Sequence, residues 1–100
     1  YLFGGSTMPT ALKVPTIHLN GSDGETLIED LQAVSDSLNT AISLLMQNAP
    51  HGRDYYVQEG DALKTATEQH LARIDRLRGV DFELKEIMSG IQQQLDLRHR

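Results

Sequence analysis

The 100-residue chain contains no cysteine, only three prolines and five aromatic residues, and no apolar run near the roughly 20 residues that a membrane-spanning helix needs. Without cysteine there is no disulfide framework, no thiol nucleophile and no thiolate metal site, a composition suited to a reducing cytosol. No basic-then-apolar leader marks the chain for export, so the expectation is a soluble protein with no membrane partner. Bases are scarce where acids are dense. Residues 21–60 hold seven acids against the single base Arg53, whereas residues 61–100 balance seven acids with seven bases, among them Arg73, Arg76 and Arg78. With a formal net charge of −5 the chain repels a phosphate backbone, which sets nucleic-acid polymers aside as partners.

What is present is helical periodicity. Residues 1–13 show none and carry glycine, serine and proline. Met8 stands where a native start would be, so the first seven residues are left out of fold reasoning. Residues 14–21 hold Val14, Ile17 and Leu19 among polar neighbours and read as an extended arm, too short to form a sheet alone. A helix is predicted over residues 22–48, with Ser22 as N-cap, Glu25 as its capping-box partner and acids crowding the first turns. Its apolar stripe runs Leu27, Leu31, Val34, Leu38, Ala41 and Leu45, widened by Ile28, Ile42 and Leu44. Pro50 ends it. After a loop over residues 49–60, a second helix is predicted for 61–97. Its seam is Leu63, Thr67, His70, Ile74, Leu77, Asp81, Leu84, Met88, Ile91 and Leu95, three of them polar. Gly79 marks a kink, a close helix contact or a tolerated surface position.

The fold class is therefore all-α: one domain over residues 14–97, an antiparallel hairpin of two long helices with an extended N-terminal arm. The helices do not match in length, at about 39 Å and about 56 Å. An antiparallel pair leaves the later turns of the second helix, with Ile87, Met88, Ile91 and Leu95, without a partner. The expectation is self-association into a helical-bundle oligomer, most simply a dimer of hairpins. The rival is a monomer whose second helix breaks at Gly79 or Gly90 and folds back.

The loop holds two of the three tyrosines in "HGRDYYVQ", residues 51–58, and is longer than the roughly 2–8 residues that usually join helices in bundles. One reading is packing, with Tyr55 and Tyr56 folded over the open end of the bundle and Arg53 pairing with Asp54. The other is recognition, in which the Arg53 fork takes a phosphate or carboxylate, Tyr55 and Tyr56 stack on a flat group, and His51 adds a donor. His18 and Asn20, from the arm of the same or another chain, complete this candidate ligand site. No spacing couples a serine to a histidine for catalysis, and no glycine-rich phosphate loop is present. His70 lacks a second metal ligand three or four residues away and reads as a seam residue facing an acid of the first helix. A non-enzymatic protein without cofactor or metal is expected.

The stretches "TIHLNGS" (residues 16–22) and "APHGRDYYVQ" (49–58), separated by one amphipathic helix and followed by "EQHLARIDRLRGV" (68–80), carry a resemblance. Over residues 14–90 the chain resembles a group of small, mostly uncharacterised phage and prophage proteins in which segments similar to IHLNG and GRDYY recur at this separation. Val57 stands where those sequences have proline. The resemblance implies a phage accessory protein in the host cytoplasm. By that context it is a candidate anti-defence protein that holds a small nucleotide-like or phosphorylated ligand near the GRDYY loop. The alternative is a protein-interaction module that inhibits a host protein, such as a defence protein, through its acidic helix, or acts as an assembly factor.

Overall fold

The computed structural model describes residues 11–18 and 23–98. Two helices, α1 (Gly24–Gln47) and α2 (Ala62–Arg98), are joined by a connection that contains a single 3-10 turn at Gly52–Asp54. Among the described residues there is no strand.

Helix α1 starts one residue later than its capping pattern suggested. The cap is Asp23, in extended conformation at φ −64° and ψ 130°, and its carbonyl accepts the first helical bond from the Leu27 amide at 3.0 Å. The Asp23 carboxylate takes the Thr26 hydroxyl instead of a backbone amide. Ser22 lies outside the described residues. The late start follows from packing: Gly24 is buried between Ile17 and Leu95, and a Cβ there would stand 3.0 Å from the Leu95 side chain. At the other end Asn48 closes the helix, its side-chain amide donating to the Leu44 carbonyl at 2.7 Å.

Helix α2 is continuous through Gly79 and Gly90, so the fold-back rival is not the structure formed. At 37 residues it is about 56 Å long, against about 36 Å for the 24 residues of α1. The helices run antiparallel, with Gly24 against Leu95, Ser35 against Asp81 and Leu45 against His70. This register corrects the expected overhang. The surplus turns of α2 lie at its beginning, beside the loop, while Met88, Ile91 and Leu95 are buried within the single chain. The long connection makes this possible, because residues 48–61 climb back along the first turns of α2 before entering it, with Gly52 beside Leu63. Gly60, at φ +64°, supplies the left-handed turn at the entry.

The arm completes the core at the opposite end. Gln94 clamps it with one side-chain amide: its carbonyl oxygen accepts the Ile17 N–H at 2.9 Å and its NH2 donates to the Pro15 carbonyl at 2.8 Å. Val14 lies directly on Gly90, where a Cβ would approach within 2.8 Å of its Cγ1. The close backbone approach thus occurs at Gly90 and Gly24, whereas Gly79 faces open space.

Six of the ten predicted seam positions of α2, His70, Ile74, Asp81, Met88, Ile91 and Leu95, are buried; Thr67, Leu77 and Leu84 are half-buried, and Leu63, beyond the end of α1, is exposed. The predicted stripe of α1 is rotated. Val34 and Ala41 are exposed, while Ser35 and Ile42 are buried. The working series is Ile28, Leu31, Ser35, Leu38, Ile42 and Leu45, equally regular in its 3-4 spacing. It was hidden because its central member is polar.

Candidate functional site

The buried polar residues explain that rotation. Ser35 Oγ donates to Asp81 Oδ1, Asn39 Nδ2 reaches Asp81 Oδ2 at 3.4 Å, and Lys85 Nζ pairs with the same oxygen at 3.0 Å. The Ser35 hydroxyl and then Lys85 hold the Asp81 carboxyl below its ordinary range, outweighing the opposing effect of burial. The buried Ser35 hydroxyl and Asp81 carboxylate are thus satisfied across the hairpin, so the cluster fixes the register between the helices. About three turns along the same helix pair, His70 Nε2 lies 2.7 Å from the Leu45 carbonyl. A carbonyl only accepts, so this nitrogen carries the proton. His70 is the seam residue expected, but its partner is backbone and not an acid.

The loop brings together four of the six residues proposed from sequence. His51 caps the 3-10 turn, its Nδ1 accepting the Arg53 amide at 3.1 Å, and the turn is closed by bonds from Asp54 N to His51 O and from Tyr55 N to Gly52 O. Arg53 and His51 are exposed, Tyr55 is half-buried, and Tyr56 and Val57 project at 80% and 75% exposure. The packing reading therefore holds for Tyr55 and fails for Tyr56, which does not fold over the end of the hairpin. His18 is not part of this group. It follows Ile17 at the Gln94 end, and Gln94 lies 31 positions from Leu63 along α2, about 46 Å away. Asn20 lies outside the described residues. Within one chain the arm and the tyrosine loop sit at opposite ends.

Both sides of the hairpin mix polar and apolar side chains. One carries the Asn39, Asp81 and Lys85 cluster, the Gln32–Asp36 bond and Arg78 reaching Met46 Sδ at 3.5 Å, together with exposed Leu71 and Phe82. The other carries Val34 and Ala41 of α1 and Val80 of α2 above half-buried Leu38, Leu77 and Leu84, with exposed Arg73, Arg76 and Glu83 on the face of Val80. The arm occupies one end of this second side. Ile91 has no exposed surface beneath it, whereas Leu84, seven residues earlier and so on the same helical face, is half-exposed. Val80 and Ile87 repeat the contrast, with Val80 46% exposed.

No helix among the described residues is long and apolar enough to cross a membrane. Comparison with protein-family models, curated proteins and solved structures finds no match.

Proposed function

We propose that this chain is a non-enzymatic protein-interaction module that recognises a partner protein through the loop of Arg53, Tyr55, Tyr56 and Val57. The supporting observation is the projection of Tyr56 and Val57 beside an exposed Arg53 on a hydrogen-bonded turn at one end of a rod. Tyrosine and arginine anchor protein interfaces because they combine large contact area with directed polar groups. A small-molecule site is concave and buries most of its ligand. Three exposed side chains, Arg53, Tyr56 and Val57, beside half-buried Tyr55 at one end of a two-helix layer do not enclose one, which favours the protein-partner reading over the nucleotide-like ligand. In the phage setting that the resemblance implies, the partner is a host protein and the host cytoplasm is the place of action.

A photo-crosslinking residue at Tyr56 tests this in producing cells. Covalent adducts with a heterologous protein are expected, and Arg53→Ala should cut their yield several-fold. The same probe at Gly79, on open helix surface, provides the background. Equal labelling from both positions would overturn the reading.

A further inference from the structure

The arm and its seat on the hairpin have the make-up of a ligand and its binding site joined by a tether. We infer that the seat recognises an extended segment with β-branched residues three positions apart, that the chain's own arm is its intramolecular occupant, and that a segment of this pattern from a partner protein takes its place. The seat lies at the opposite end of the hairpin from the tyrosine loop, so this inference stands without the loop reading.

Gln94 is the first support. Its side-chain amide accepts from the Ile17 N–H and donates to the Pro15 carbonyl, the two main-chain groups on either side of Thr16. One planar amide thus does what a neighbouring strand does, offering an acceptor and a donor to an extended chain. It reads main chain only. Thr16, between the two bonded groups, is exposed and free to be any residue.

Shape is the second. Val14 lies on Gly90, where a Cβ would come within 2.8 Å of its Cγ1, and Ile17 reaches Gly24, where a Cβ would stand 3.4 Å from its Cδ1. Glycine inside a helix destabilises it, and within α2 the room left at Gly90 is filled by this one β-branched side chain. One glycine from each helix therefore sets an apolar anchor, and Gln94 fixes the main chain between them. Pro15 suits that place, since its ring favours an extended chain and it brings no N–H to satisfy.

The third support is how lightly the arm is held on a seat that does not depend on it. Of residues 11–18 only Ile17 is half-buried and the rest are exposed, and the hydrogen bonds of the arm among the described residues both end on Gln94. The seat is set by the helices themselves, through the bond of Ser35 to Asp81 and the approach of Gly24 to Leu95. The arm can leave while the hairpin stays. Its departure uncovers Ile91, which has no exposed surface, beside a Gln94 amide free to pair again. Two copies that exchange arms end with the contacts they began with, so the occupant that shifts the balance is a partner segment with the same anchors and further contacts of its own. The arm then acts as a filter that excludes weaker segments.

A synthetic peptide of residues 11–18, ALKVPTIH, tests the site on the full chain. The tethered arm competes at an effective concentration on the order of millimolar, so the wild type should bind the peptide only in that range. Val14→Asp in the chain unseats the arm and leaves both helices whole, so binding should tighten at least fivefold with helical circular dichroism unchanged. Adding Gln94→Ala to that chain should weaken it at least fivefold, as should Val14→Asp in the peptide, whereas Thr16→Gln in the peptide should change it less than twofold. A second readout needs no variant. Peptide at about ten times the effective concentration of the arm should speed hydrogen exchange at the chain's own Ile17 amide at least fivefold, while exchange at Ile91 stays slow. No binding to the Val14→Asp chain, or equal binding with and without Gln94, would overturn the inference. So would joint acceleration at Ile17 and Ile91, because the arm would then leave only as the hairpin opens. A wild-type mass of twice 11.1 kDa that Val14→Asp abolishes would give the seat to the arm of a second copy and overturn the partner segment. None of these results bears on adducts from Tyr56, so failure of the loop reading is read separately.

Discussion

Asp81 shows how one polar side chain fixes the relation between two helices. It is buried on the seam of α2 and is satisfied only if Ser35, Asn39 and Lys85 are all within reach. Sliding the helices by one turn would take Ser35 and Asn39 of α1 away from a buried carboxylate and leave it only Lys85, one turn along α2. Its carboxyl titrates below the usual range, chiefly through the Ser35 hydroxyl. A depressed folded-state pKa contributes stability that is present above the unfolded value of about 3.9 and is lost as pH falls toward the folded one. Urea midpoints should therefore drop as pH falls below about 4. Ser35→Ala should lower the midpoint at pH 7 and shallow that acid dependence. The two helical glycines on the other faces of α2 give a second contrast. Gly79→Ala meets open space and should stabilise by roughly 0.5–1 kcal/mol through helix propensity. Gly90→Ala drives a methyl into the β-branched side chain of Val14, so it should gain nothing in thermal stability and should expose the arm to proteolysis.

At the scale of elements, the arm takes the place of a third helix at one end of the pair. Residues 14–17 have no regular backbone bonds of their own and are held by Gln94 and by contacts on Gly90 and Gly24. Gln94→Ala removes both polar contacts, at about 0.5–1.5 kcal/mol each. Hydrogen exchange at the Ile17 amide should accelerate while that of α2 is unchanged. Slow Ile17 exchange in the variant would show that apolar contact alone seats the arm. Ile91 is the largest fully buried side chain, so Ile91→Ala should cost about 2–5 kcal/mol by leaving a cavity beneath the arm. The connection matters as an element too. Its length sets the register, because a shorter link would bring the end of α1 to the first turn of α2 and strand the apolar turns near Leu95 instead.

At the scale of the whole molecule, five large apolar side chains are buried and twelve are exposed among the described residues. A core that small gives a hairpin modest stability alone. If a second copy supplies a second layer of helices, the melting temperature should rise with protein concentration. A concentration-independent wild type would mean that the hairpin is sustained by one chain.

The all-helical class, the helix boundaries to within two residues and the seam of α2 were legible in the residue pattern, because amphipathic spacing and caps are local properties that each helix carries with it. Ser22 and Glu25 marked the start of the helix to within one residue of its Asp23 cap, and Pro50 the end of it. Four members of the loop site, His51, Arg53, Tyr55 and Tyr56, could be grouped because they are neighbours in the chain. Three features were decided only in the folded molecule. Ser35 belongs to the core of α1 because a carboxylate faces it across the pair. Gly90, and not Gly79, is the point of close approach because the arm lands there. His18 is far from the tyrosines because the loop climbs α2 before the chain turns into it. Each depends on which residues meet across the hairpin, a relation set by the register between helices and absent from the spacing within either one.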